Sequence, residues 1–522
     1  MRRKKKNTEE LTVSEVPVYG EDPKPQKEKI DILDITKPKA VREPPKNRKE
    51  RNRAMVKASY FMVAMFLSLV VYLVYFNVIR ADSINSNAYN TKQSAKENMI
   101  IRGAIYSADG QPLAITNVDA GGNESRVYPY YQTFSHVVGY ATNGRSGIES
   151  VYNDELLTCS SSILQQIEDS AQNVKVRGDS LYLTLNTSLQ RAAYDALGNY
   201  GYNGAVVVLE PDTGKILAMV SRPGFDPNTI SQDWDILVSD EANSPLLNRA
   251  TQGLYPPGST FKVLTTLAYI RENPDDYQNF TFNCQGLVSM GDVNITCYGG
   301  SVHGSETLEQ AFMNSCNGAF ATIGTELEYD AYRDICEDFF FNDSIDLVLP
   351  TSESQFELES GSSVGEQMTT AIGQGDTLAT PLQMAMVAAA VANNGTIMKP
   401  YLLDYIATYD GDVVREYNPS SYRTVMSSAE AEILAGYMTS TAQSGTASAL
   451  SGNGYTVAGK TGSAEYEIDG SENMGTHSWF IGYSNVEDPD IAIAVIAENG
   501  GSGSSTAVPI AKYIFDAYYY GY

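Results

Sequence analysis

Histidine and tryptophan are nearly absent from this chain, with three and two among 522 residues. His136, His303 and His477 stand far apart. None has the short spacing of a zinc-ligand pair, so no metal site is expected. No G-x-S-x-G follows a predicted strand, as the nucleophile elbow of a Ser-His-Asp hydrolase requires. Cysteine is scarce too. Cys159, Cys284, Cys297, Cys316 and Cys336 are an odd number, which excludes a fully paired disulfide framework. Basic residues are sparse over most of the length. Residues 1–57 hold 17 of the 37 Lys+Arg and 10 of the 63 Asp+Glu, a net of +7, against −33 for the remainder. So acidic a region lacks the basic face that nucleic acid requires, and no nucleic-acid partner is expected.

Long apolar runs are missing, with one exception. Between Lys57 and Arg80 lie 22 residues without a charge. As a helix they reach about 33 Å, enough for a bilayer core of about 30 Å. Arg48, Lys49, Arg51, Arg53 and Lys57 crowd the N-terminal flank. The positive-inside rule then places residues 1–57 in the cytoplasm and residues 80–522 outside it. The Lys-, Glu- and Pro-rich head reads as a disordered tail, 58–79 as the span and 80–178 as a stalk and small domain. The main domain is expected over 179–522.

Within 80–178, Asp109-Gly110 between two apolar runs signals a hairpin. From Ser180 the pattern sharpens. SLYLTL alternates as a strand, and Thr187 with Gln190 forms a capping box for a helix ending at Gly198. GAVVVLE and KILAMVS flank Asp212-Thr213-Gly214, a second hairpin. YTVAGKTGS, SWFIGYS and DIAIAVIAE are three later strands, and a helix closes the chain. Helix, two strands, a long mostly helical insert, three strands and helix predict an α+β fold, with a five-stranded antiparallel sheet flanked by helices.

Three short motifs could carry chemistry. Ser259-Thr260-Phe261-Lys262 follows Pro256-Pro257-Gly258, which marks a helix start. Lys262 then lies one turn above Ser259 and can reach its hydroxyl. A serine needs such a base, and a lysine serves only when neutral. Ser315-Cys316-Asn317 offers a hydroxyl and an amide two residues apart, in a loop after a helix capped by Thr307 and Gln310. Lys460-Thr461-Gly462-Ser463 lies on a predicted strand, where Gly462 leaves room for a substrate backbone. GYTVAGKT also fits the phosphate-loop pattern, but no helix follows it, so nucleotide is not expected.

S-x-x-K, S-x-N and K-T-G, in this order, resemble the penicillin-binding protein and serine β-lactamase superfamily. NRATQGLYPPGSTFKVL, GAVVVLEPDTGKILAMVSRPGFDPN, IGQGDTLATPLQMA, VAGKTGSAE and HSWFIGY are similar to segments of the class B transpeptidases. RGAIYSADGQPLAIT and GRSGIESVYN resemble their non-catalytic N-terminal region. The resemblance implies a penicillin-binding transpeptidase fold and a peptidoglycan D,D-transpeptidase without a cofactor. Its partners would be stem peptides ending in D-Ala-D-Ala, β-lactams, the cell membrane and a lipid-linked glycan polymerase. Ser259 would be acylated with Lys262 as base, Ser315 would pass a proton, and Asn317 would hold the peptide. Lys460 and Thr461 would steer protons and bind the terminal carboxylate, and the N–H groups of Ser259 and Ser463 would face the oxyanion. Ser463 stands where the family most often has Thr. The short N-terminal region leaves no room for a glycosyltransferase domain. A D,D-carboxypeptidase or β-lactamase, or a catalytically silent scaffold, are the alternatives.

Cys284 and Cys297 bracket a segment turning at Met290-Gly291-Asp292. Two strand-like arms would set the cysteines opposite each other, so a disulfide is expected in an oxidising environment. Metal binding is the rival, for which no nearby Cys-x-x-Cys or histidine pair completes a site, and two unpaired thiols are the other alternative.

Overall fold

The computed structural model describes residues 48–75, 99–162, 165, 167, 175–291, 293–467 and 474–521. The chain divides into two units, 1–76 and 77–522.

In the first unit, helix α1 spans Arg48–Tyr75. Its Met55–Tyr75 stretch of 21 residues is long and apolar enough to cross a membrane. The expected tail is corrected at its end. Residues 48–57 are helical, because Arg, Lys, Glu, Ala and Met are strong helix formers and an adjoining helix removes the cost of nucleation. The rest of the tail, the polar stalk and Asp292 lie outside the described residues.

In the second unit, after a short strand at Ile100–Ile101, lie β1 (Ile105–Tyr106), β2 (Pro112–Val118), β3 (Glu124–Val127) and, beyond three short helices, β4 (Ser180–Leu183). β1 and β2 form the hairpin that Asp109-Gly110 signals, with Gly110 at φ +73°. β4 pairs in parallel with β1 and antiparallel with a distant strand, Leu403–Ala407. One six-stranded sheet therefore joins the N-terminal region to the rest of the unit.

Two of the N-terminal sequence motifs meet at a buried charge. Glu149 Oε2 accepts from Arg102 Nε at 2.6 Å, and its Oε1 accepts from Arg126 Nε at 2.7 Å and from the Tyr128 hydroxyl at 3.1 Å. Burial alone would raise this carboxyl, but the two guanidinium groups overrule it and hold it below the usual value of 4.5. A depressed folded pKa adds stability that is complete above the unfolded value and is lost as pH falls through the folded one. Glu149→Gln is therefore expected to cost about 3–5 kcal/mol near neutral pH, since it leaves two buried guanidinium groups uncompensated. It should also flatten the acid limb of the stability curve. Denaturant unfolding from about pH 3 to pH 7 measures both; an unchanged acid limb would remove Glu149 from the account.

Helix α2 (Thr187–Asn199) follows. The expected capping box is corrected here. Asn186 caps the helix by accepting from Leu189 N–H. Gln190 instead lies buried and bridges Thr133 O, Met219 O and Met219 N–H. Tertiary partners took the side chain that the local motif would have used.

β5 (Gly204–Leu209) and β6 (Ile216–Arg222) form the second predicted hairpin, with Gly214 at φ +80°. Next come α3 (Lys262–Glu272), β7 (Thr281–Cys284), β8 (Leu287–Met290), β9 (Val293–Thr296) and β10 (Gly304–Thr307). They lead to α4 (Leu308–Met313), which carries the expected Thr307/Gln310 capping box, and α5 (Asn317–Glu326). Buried α6 (Pro381–Ala392) ends before Asn394-Gly395, both at positive φ. Then follow α7 (Ser428–Ser444), β11 (Val457–Glu467), β12 (Met474–Ser484), β13 (Ala492–Ala497) and α8 (Ala507–Tyr520).

The main sheet has the order β11-β12-β13-β5-β6, all antiparallel. β5 and β13 are buried at every residue. Their unbroken apolar runs follow from having both faces covered. Residues of α2 and α8 cluster with one face, and residues of α3, α5 and α6 with the other. β11, which carries Lys460-Thr461-Gly462, is an edge strand.

Candidate active site

Ser259 sits in a 3₁₀ turn, Gly258–Phe261, that runs into α3. Gly258 has φ +53°, and a Cβ there would stand 3.0 Å from Ser463 O and 3.1 Å from Ala464 Cβ. Glycine lets this turn lie directly against β11. Gly258 N–H donates to Gly373 O at 2.8 Å. A Cβ on Gly373 would fall 2.1 Å from Gly258 O, so the IGQG segment supports the same turn from its other side.

Lys262 is fully buried. Its Nζ donates to Ser315 O at 2.9 Å and to Asn317 Oδ1 at 2.8 Å, and stands 3.4 Å from Ser315 Oγ. Lys460, equally buried, donates from Nζ to Ser315 Oγ at 2.9 Å and to Thr461 O at 3.1 Å. The Ser315 hydroxyl thus bridges two lysine amines. Burial lowers Lys262 to about 8, against an opposing pull from Cys316, Cys297 and Glu306. Burial and the Lys262 charge push Lys460 well below its ordinary value. Two ammonium groups so placed cannot both hold their protons cheaply, so one amine is available as a base.

Ser315 has φ +59°, a strained conformation for a residue with a side chain. The expected extended loop is corrected to this left-handed corner. Cys316 caps α5 by accepting from Ala319 N–H, and Asn317 is the first helical residue. Asn317 Nδ2 donates to Thr296 O at 2.9 Å. Its amide is thus tied to Lys262 and to β9.

Gly462 also differs from expectation. A Cβ there would meet Pro257 O at 3.0 Å and Thr260 Cγ2 and Trp479 Cβ at 3.1 Å. The missing side chain makes room for the Ser259 turn. Among the described residues Ser259 Oγ has no hydrogen-bond partner; the lysine one turn on is engaged by Ser315 and Asn317 instead.

Ser259, Ser315, Asn317, Thr461, Gly462 and Ser463 line one cleft of about 1210 Å³, with the two lysines beneath its surface. Residues 204–516 match the penicillin binding protein transpeptidase domain, and residues 102–181 the penicillin binding protein A dimerisation domain. The chain belongs to the penicillin-binding protein family.

Among relatives of this penicillin-binding protein is the peptidoglycan D,D-transpeptidase PbpA of Mycolicibacterium smegmatis. It is 32% identical over 492 residues, covering 88% of this chain and 98% of that protein. The ceftriaxone acyl-enzyme complex of penicillin-binding protein A from M. tuberculosis superposes with a TM-score of 0.73 at 31% identity. It covers 81% of this chain and 99% of that one. The D,D-transpeptidase domain of a peptidoglycan glycosyltransferase from Eggerthella lenta gives 0.71 at 34% identity, covering 81% and 100%.

Several residues of the cleft escaped the sequence. Thr446, after α7, has its hydroxyl 2.5 Å from Thr461 Oγ1. Tyr466 stacks on His477 with centroids 4.2 Å apart. Gln374 and Asp376 line the rim. Gln374 and Asp376 belong to the quoted IGQGDTLATPLQMA segment and His477 to HSWFIGY, but only folding brings them and Thr446 to this cleft.

The cysteine expectations need the largest correction. β8 and β9 form the hairpin read from Met290-Gly291. Cys284 and Cys297 end up buried and adjacent, yet their sulfurs are 3.6 Å apart and both thiols are free. Cys316 and His303 join them, and the four donor atoms all lie within 4.8 Å of one another. Ligand spacing in the sequence gave no sign of this, because β10 brings His303 back beside Cys284.

Proposed function

We infer that the protein is a membrane-anchored peptidoglycan D,D-transpeptidase that works through an acyl-enzyme on Ser259 and is acylated at the same serine by β-lactams. The observation that carries this reading is the Ser315 hydroxyl bridging two buried lysine amines beside Ser259. Ser259 Oγ attacks the carbonyl carbon of the penultimate D-Ala while Lys262, whose burial brings it down to about 8 so that a fraction of the amine is neutral near neutral pH, takes its proton. Lys460 and the Ser315 hydroxyl relay a proton to the departing nitrogen, the C–N bond breaks, and D-Ala leaves. An amine of a neighbouring stem peptide then attacks the ester and restores Ser259. The N–H groups of Ser259 and Ser463 face the developing oxyanion; one such donor is worth about 2.7–4 kcal/mol of barrier. Thr461, steadied by Thr446, receives the terminal carboxylate. The free edge of β11 suits a peptide lying as an added strand, with Asn317 at its far side.

In this reading residues 80–178 are a stalk and pedestal, and 179–522 the catalytic domain. Residues 1–57 lie on the cytoplasmic side, and a lipid-linked glycan polymerase supplies the strands to be joined. Combining detergent-purified protein with lipid-linked precursor and such a polymerase should yield cross-linked muropeptide dimers. Release of D-Ala without dimers would favour the carboxypeptidase reading, and neither product would favour a scaffold.

A further inference from the structure

We propose that Cys284, Cys297, His303 and Cys316 form a binding site for a thiophilic divalent cation, zinc by chemistry, that pins the Ser315–Asn317 corner to the wall of the cleft. Zinc sits about 2.3 Å from thiolate sulfur and about 2.0 Å from imidazole nitrogen, so the edges of a tetrahedral site are about 3.5–3.8 Å. Cys284 Sγ to Cys297 Sγ is 3.6 Å, Cys297 Sγ to Cys316 Sγ 3.9 Å and Cys284 Sγ to His303 Nδ1 3.4 Å. These three distances are close to tetrahedron edges, and the remaining donor pairs among the three thiols and the imidazole lie within 4.8 Å. A disulfide would use two of the three thiols and leave Cys316 and His303 facing it without purpose. A second feature points to a cation. Glu306 is 2% exposed, its Oε2 has no hydrogen-bond partner among the described residues, and that atom lies 3.7 Å from His303 Nδ1. A buried, unmatched carboxylate oxygen is costly unless positive charge stands nearby.

The surrounding fold has need of such a link. β7 with β10, and β8 with β9, are separate two-stranded ribbons of four-residue strands. Ribbons of this size are marginal by themselves. Cys284 ends β7, Cys297 follows β9, His303 precedes β10 and Cys316 caps α5. One ion would tie both ribbons to the helix that begins with Asn317. Cys297 and Cys316 flank the Thr296–Asn317 hydrogen bond, so the metal would fix the group that holds Lys262 Nζ.

The test uses the full chain in detergent, purified with reductant and without chelator. Elemental analysis should find about one zinc per chain. Cys284→Ser and Cys316→Ser should lose it, while Cys336→Ser, a buried cysteine outside the cluster, should keep it. Because a core substitution can unfold the chain, cobalt is titrated into chelator-stripped wild type as a second measurement. It should give the thiolate-to-cobalt charge-transfer band of a tetrahedral site, and zinc should quench it. Stripping should slow penicillin acylation about tenfold or more, and zinc should restore it. Wild type lacking both zinc and the cobalt band would overturn the site. So would a Cys284–Cys297 disulfide mapped in protein from its native envelope. Metal content and the cobalt spectrum are independent of acyl transfer, so a chain that binds zinc but never labels at Ser259 sinks the transpeptidase reading alone.

Discussion

Ser259→Ala is expected to abolish covalent uptake of penicillin while the chain stays folded. Wild type should gain the mass of one penicillin on the peptide containing Ser259, and the variant none. The fold has little to lose, since the Ser259 hydroxyl has no hydrogen-bond partner among the described residues. The turn is held instead by Gly258 N–H on Gly373 O and by its packing against β11. Thermal unfolding of the variant should match wild type within about the ±0.5 kcal/mol of a neutral surface change. No other serine replaces it, because Ser315 Oγ is already held by Lys460. Equal labelling of the variant would sink the assignment of the nucleophile.

Replacing Lys262 should cost nearly as much, and two variants separate its roles. General-base catalysis contributes about 10²–10⁴-fold, so Lys262→Met should slow acylation by that range. It also leaves Ser315 O and Asn317 Oδ1, both half-buried at the cleft, without their lysine donor, at about 1 kcal/mol of stability for each lost hydrogen bond. Lys262→Arg keeps a donor for both oxygens but cannot give up its proton. If Lys262 acts as the base, the arginine variant acylates as poorly as the methionine variant while regaining stability. Stopped-flow acylation by a chromogenic cephalosporin, read beside thermal midpoints, distinguishes them. An arginine variant close to wild type in rate would reduce Lys262 to a positioning residue.

Much of the main sheet was legible because its signals are local. The two hairpins follow from Asp-Gly and Asp-Thr-Gly turns that only a few backbone conformations satisfy, with Gly110 and Gly214 at positive φ. The Thr307/Gln310 box is set by groups within a few residues of each other. Where a local rule failed, a distant partner outbid it: Gln190 left its cap for Met219 and Thr133. A strand pattern tells that Lys460 and Gly462 share a face but not that the Ser259 turn packs against Gly462.

Residue types alone mark the apolar span, the antiparallel sheet with its flanking helices, and the serine, lysine and asparagine motifs in their order. Each depends on residue type at short spacing, where chain geometry leaves little choice. Tertiary structure alone decided that Lys262 and Lys460 share one buried hydroxyl. It also decided that Ser315 takes a left-handed corner, that Thr446 meets Thr461, and that His303 and Cys316 close around Cys284 and Cys297. In these contacts Thr446 and Thr461 are 15 positions apart, Lys262 and Ser315 53, and Lys460 and Ser315 145. Their energy comes from burial and from polar groups with no other partner, which no local pattern encodes.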